Sequence, residues 1–252
     1  MKNNKSIIDN YNLLSNLINP FISELKINQS KNQQKILEVC HVGKFLISFE
    51  NQIQIDSLTE KPDFILNFNN EKIGLEHQIV IDSKSKEKEG YYENIFSKVE
   101  SELKKDESLP NFLINCFIKP DLNHKLEQKR EIELIIKDVI KEYLTNNTFT
   151  ENPIISQLMK MPHSGKNVNV NFGAWMQKKI TKEIILEAIQ KKENKVRNYI
   201  ENSFDKQWLL LVIGSNGESS FEMDNNIHLD IDSKFERIYI LEDFDNILHQ
   251  IK

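Results

Sequence analysis

Apolar positions recur at helical spacing over 6–27 (Ile7, Tyr11, Leu14, Leu17, Ile18, Phe21, Leu25) and again over 31–49 (Ile36, Leu37, Val39, Cys40, Phe45, Leu46). Two helices are predicted there, the first interrupted or restarted by Pro20. After Pro62 the pattern turns extended. Residues 64–68 and 72–81 read as two strands joined at Asn69-Asn70, a pair that tolerates the positive φ of a two-residue hairpin turn. Residues 84–107 have weak apolar spacing in a charged background, which predicts an exposed helix. A strand is expected at 112–118, a strong helix at 123–145, a loop over 146–167, a strand at 168–172 and a Lys-rich helix at 177–202. The run 208–213 is continuously apolar and reads as a strand covered on both faces, followed by a Gly-Ser-Asn-Gly turn. A last strand at 237–241 and a closing helix at 244–251 complete the pattern.

Helices and strands alternate, and the early hairpin adds antiparallel pairing. The expected fold is therefore α/β, with a central mixed β-sheet flanked by helices. No linker rich in Pro, Gly or Ser divides the chain, so residues 1–252 read as a single domain, with 1–30 an N-terminal helical extension.

Composition narrows the class. The 252 residues are 39% hydrophobic and 28% charged, a globular profile. No apolar run is long enough to span a bilayer, and the N-terminus lacks the apolar core of a secretory signal. The two cysteines, Cys40 and Cys116, sit in apolar stretches and read as thiols of a reducing cytosol. A cytoplasmic protein is expected. The net charge of −5 does not mark a nucleic-acid binder, but its distribution is uneven: residues 160–206 carry a balance of +5 and residues 218–252 one of −6.

The hairpin carries the chemistry. With Asn69-Asn70 as the turn, Phe64 faces Leu75 and Leu66 faces Ile73, and Asp63 falls opposite Glu76. Opposed side chains leave the sheet on the same side, about 4.5–5.5 Å apart at Cβ. Two carboxylates so placed repel, and a divalent cation reverses the sign. Oxygen-only ligation suits Mg²⁺, or Mn²⁺ in its place. Gly74 would leave room beside the pair for a substrate backbone. On the residues alone, Asp63 also reads as a turn residue and Glu76 as a solvent-facing strand position.

Pro62-Asp63, followed thirteen residues later by Glu76-His77-Gln78, resembles the PD-(D/E)xK nuclease superfamily, with Gln78 where the usual motif has Lys. A leading helix, the hairpin, a further helix and the Lys-bearing segment before strand 208–213 follow in the same order. The resemblance implies a restriction-endonuclease-like fold and a nuclease acting on DNA in restriction, defence or repair. Asp63 and Glu76 would hold Mg²⁺, with the backbone carbonyl of His77 as a third oxygen and Glu38 as a further ligand. Gln78 would orient water, and Lys192 or Lys195 would stand in for the displaced lysine. Relatives of this kind often act as dimers to cut both strands, so a homodimer joins DNA among the expected partners. Lys160, Lys166 and Lys191 are candidates for contacts to nucleic-acid phosphates; on the residues alone Phe172 and Trp175 read as core, and Lys192 and Lys195 as a solvated face or as phosphate contacts rather than catalytic groups, with Tyr199 four residues beyond Lys195. His77 points away from the acids by strand alternation and reads as packing or as support behind the site, while His41 and His163 read as isolated residues of the surface or as satisfied core histidines. The alternatives are a nuclease fold that binds without cutting, which Gln78 favours, and an unrelated α/β interaction protein.

Overall fold

The computed structural model describes residues 7–49, 52–120, 122, 128–173, 176–196, 206–224, 227 and 229–252. In chain order, α1 (Ile7–Leu25) leads through a short 3-10 turn into α2 (Gln29–Ile47). Three strands follow: β1 (Ile53–Leu58), β2 (Phe64–Phe68) and β3 (Glu71–Ile79). Next come α3 (Ser83–Lys104), β4 (Phe112–Ile118), α4 (Lys129–Asn146), β5 (Ile155–Met161) and β6 (Lys166–Asn171). The chain ends with β7 (Lys178–Lys179), α5 (Lys182–Val196), β8 (Gln207–Ile213), β9 (Phe221–Glu222), β10 (Arg237–Glu242) and β11 (Ile247–Gln250). Where the sequence reads as one domain, the contacts gather into two compact units: residues 1–81 with 177–252, and residues 82–176. No shift in composition marks either junction.

The first unit is built on a six-stranded mixed sheet in the order β1-β2-β3-β8-β10-β11. β1, β2 and β3 are antiparallel neighbours, β8 runs parallel to both β3 and β10, and β11 returns antiparallel along β10. Strand alternation divides the apolar side chains between two cores. Trp208, Leu210 and Val212 join Phe64, Leu66, Ile73 and Leu75 against Val39, Val42, Phe45 and Leu46 of α2. Leu209, Leu211 and Ile213 turn the other way, to Ile185, Ala188 and Ile189 of α5. The continuous apolar run of β8 is thus covered on both faces.

Helix α1 passes through Pro20 without a break. Its apolar face supplies Ile18 and Ile22 to the α2 core, so this segment is part of the unit's interior rather than an appended extension. At Gly43 of α2 an added Cβ would stand 2.4 Å from Ile18 Cγ2 and 2.7 Å from Leu14 Cδ1. Burial at this close crossing outweighs the roughly 3 kcal/mol that a proline costs inside a helix.

The hairpin register is as the turn dictates, with Phe64 opposite Leu75, Leu66 opposite Ile73 and Phe68 opposite Glu71. Asn69 (φ 52°) and Asn70 (φ 64°) both lie in the left-handed region. Replacing both with Ala should destabilise the fold by about 1–2 kcal/mol per residue, because Cβ opposes that conformation; urea denaturation measures it, and Asn70→Gly should be neutral or stabilising.

Three predicted elements differ, and β1 is an addition to them. The expected loop at 146–167 contains β5, bracketed by Pro153 and Pro162; only Ile155 and Leu158 of this edge strand are buried. The expected helix at 244–251 is instead β11, reached through a turn with Asn246 at φ 54°; a short apolar run does not distinguish the two. β1 was hidden in a weakly alternating stretch. α5 starts at Lys182, since Lys178–Lys179 pair with β9; the expected continuation over 197–202 lies outside the described residues, as do Trp175 and Tyr199.

The second unit has a three-stranded sheet, β5-β4-β6, and α3 and α4. The predicted exposed helix at 84–107 buries Tyr92, Ile95, Phe96, Val99 and Leu103 in this unit's core with Ile132, Ile136 and Ile140 of α4. Among the described residues no helix is long and apolar enough to cross a membrane.

Candidate functional site

Neighbouring residues of β3 leave on opposite faces, and this sends Glu76 and His77 to different helices. Glu76 turns toward α5, where Lys192 meets it: Nζ donates to Glu76 Oε2 at 2.7 Å and to Asp63 Oδ2 at 2.9 Å. The two acids and the lysine therefore form one cluster. The hairpin ladder ends at Phe64–Leu75, so Asp63 precedes β2 and is not the ladder partner of Glu76. Its carboxylate is held instead by the main chain of the next strand, accepting from the His77 N–H at 2.8 Å. Lys35 of α2 donates to the Asp63 carbonyl at 3.1 Å and forms an ion pair with Glu38 at 3.2 Å.

Burial opposes charge at all three groups. It pushes the Asp63 carboxyl up, but the Lys192 ammonium, the His77 N–H and Lys35 together hold it below the usual carboxylate range. Burial pushes Glu76 up as well, and the negative charge of Asp63 adds to this, so Glu76 stays above its ordinary value despite Lys192. Burial would lower Lys192, yet the two carboxylates raise it. Asp63 is the firmly ionised acid. With both acids ionised, one ammonium leaves the cluster at a charge of minus one.

No family model, no curated protein and no solved structure matches the chain.

The donor set can be tested against a cation directly. Glu76 Oε1 is buried and has no hydrogen-bond partner, an uncompensated acceptor in a cluster already short of positive charge. A hard cation that takes oxygen ligands fits both deficits. Among the described residues no group of three or more His, Cys, Asp or Glu side chains gathers as a ready-made metal cage. An ion here would lean on two carboxylates and keep waters, the habit of Mg²⁺ rather than of structural zinc.

The cluster opens on a cavity of about 370 Å³ whose lining includes Gln34, Glu38, Asp63, Gln78, Lys191 and Lys195. Glu38, half-buried on α2, and Gln78, half-buried on β3, are thus brought to the site, and Lys191 and Lys195 are exposed along its α5 wall. Lys160 and Lys166 belong to the other unit. There Lys160 is exposed on β5, and Lys166 donates to the Asp106 carbonyl at 2.5 Å. Gly74 does not make room for a substrate: the space a Cβ would take is filled by Gln207, whose Oε1 lies 2.4 Å from that point.

His41 corrects the sequence reading most. It is not isolated but stands under the site, its Nδ1 3.0 Å from Nε2 of His77, with the rings stacked 5.2 Å apart. Its Nε2 lies 3.6 Å from Asp243 Oδ1, which Lys44 of α2 also engages at 2.6 Å. The carboxylate favours a proton on His41 Nε2, leaving Nδ1 to accept from His77. A histidine within the apolar run Val39–Phe45, one turn after Glu38, was the available signal. Its partner in β3 could not be named without the sheet.

Proposed function

We propose that this chain is a Mg²⁺- or Mn²⁺-dependent nuclease that hydrolyses phosphodiester bonds of DNA, on a fold of the PD-(D/E)xK, restriction-endonuclease-like type. The observation that carries this reading is the Lys192–Asp63–Glu76 cluster. A lysine is absent two positions after Glu76, and one arrives from α5 instead, at hydrogen-bond distance from both acids. The order of a leading helix, the hairpin, a further helix and the Lys-bearing α5 before β8 supports this reading, and β1 ahead of the hairpin is an addition to it.

Asp63 and Glu76 would hold the ion, with the His77 carbonyl as the third oxygen implied by the resemblance. When bound, a divalent ion supplies Lewis acidity toward the phosphoryl oxygen and lowers the pKa of a water. The chain's own groups do the rest. Lys192 brings a positive charge to the place where the transition state gains negative charge. Gln78 can orient a water through its amide but can neither take its proton nor carry charge. Lys191 and Lys195 offer exposed ammonium groups to flanking phosphates.

A second reading keeps the fold and the ion but not the hydrolysis; Gln78 in the motif's lysine position favours it. Incubation with supercoiled plasmid and single-stranded DNA in Mg²⁺ or Mn²⁺ separates the two. Nicking is expected, and Asp63→Asn and Glu76→Gln should each reduce it by about 100-fold or more, since even the loss of outer partners at metal sites costs 10–100-fold. Ion binding with no nicking would support the binding module instead.

A further inference from the structure

The Lys192 ammonium lies where a cation bridging Asp63 and Glu76 would lie. It donates to one oxygen of each acid, and Lys192 is only 8% exposed. We infer that Lys192 is a place-holder: it occupies the bridging position when no ion is bound, and a divalent ion must displace it from the two carboxylates. This rests on the proposal that Asp63 and Glu76 form an ion site, and it adds how that site is regulated.

An ion held by the Asp63 and Glu76 carboxylates would stand close to an ammonium bonded to both of them, and like charges so near repel. Loading therefore breaks two charge-assisted hydrogen bonds, each stronger than a neutral one. The released ammonium needs a new anion. In the adjoining cavity the other α5 side chains, Lys191 and Lys195, are themselves cations, and the further carboxylate there, Glu38, is already paired with Lys35 at 3.2 Å. A phosphate of the substrate is an anion of the right charge for that groove. Ion and phosphate-bearing substrate should then favour each other's binding, each relieving what the other displaces. The unpartnered Glu76 Oε1 defines the opposing arrangement, in which an ion binds that oxygen alone and Lys192 stays where it is.

Calorimetric titration of the full chain with Mn²⁺ decides between them. Lys192→Met should bind Mn²⁺ at least about tenfold more tightly than the unaltered protein, the equivalent of one charge-assisted hydrogen bond no longer broken. Its melting temperature should lie lower in EDTA and rise further on adding Mn²⁺. Lys192→Gln, which keeps two N–H donors for the acids but no charge, should tighten binding in the same direction if the Met variant does not fold. Equal or weaker binding in the variants, with normal binding and nicking by the unaltered chain, would overturn the place-holder and leave the nuclease reading intact. Absence of Mn²⁺ binding from every form would overturn both.

Discussion

Acidification from pH 7 to pH 4.5 is expected to remove about 3 kcal/mol of stability from the unit that carries the site. His77 is 5% exposed, and burial, reinforced by the neighbouring His41, lowers its pKa from 6.5 to about 3. The unfolded chain takes up a proton near 6.5 and the folded chain does not. Stability is complete above that value and falls by about 1.4 kcal/mol for each pH unit below it, until the folded pKa is reached. His41 is lowered too, chiefly by burial, and adds in the same direction. Glu76, whose pKa is raised, works the opposite way above its ordinary 4.5 and offsets a part. Asp63, whose pKa is lowered, contributes stability that is lost only below its ordinary 3.8. Urea denaturation at pH 7, 5.5 and 4.5 measures the slope. His77→Asn should flatten it, and a flat profile in the unaltered protein would mean that the imidazoles accept protons within the fold.

Trp208→Ala is expected to cost about 3–5 kcal/mol, the range for a large aromatic removed from a closed core. Trp208 is 1% exposed on the central strand β8 and packs against Phe49, Phe68 and Tyr239 at ring separations of 5.7–6.3 Å. Its Nε1 donates to Glu236 at 3.0 Å, and the Arg237 guanidinium lies 4.8 Å over the ring. Trp208→Phe keeps most of the contact area and loses the donor, so it should cost much less. A loss below about 1 kcal/mol for the Ala variant, measured by denaturation, would contradict the packing described.

The hairpin was legible because its information is local: two asparagines that accept positive φ, flanked by alternating apolar residues, fix which positions oppose each other. The two acids could be picked out from that register, though the means by which Asp63 is held, a main-chain N–H of β3, could not. The Lys192 contact joins residues 116 apart in the chain, and periodicity says nothing about pairings at that range. Lys192 and Lys195 looked equivalent in sequence, yet one is buried between carboxylates and the other exposed, an angular difference of about a sixth of a helical turn set by how α5 lies on the sheet. His41 was missed for the same reason. Strand β11 failed differently: four residues carry too little pattern to separate a strand from a helical turn, and the pairing with β10 decides.

The compact unit of residues 82–176 is inserted between the strand that bears Glu76 and the helix that bears Lys192. During synthesis at about 5–20 residues per second, the acidic hairpin leaves the ribosome on the order of 6–23 s before its counter-charge exists. Through that interval Asp63 can draw on Lys35 and the His77 N–H, which are already made, while Lys192, the cation that meets both acids, is not. β8, β10 and β11 complete the sheet, and the Lys192 contacts, which span 129 and 116 residues of chain, can form only once α5 has been made.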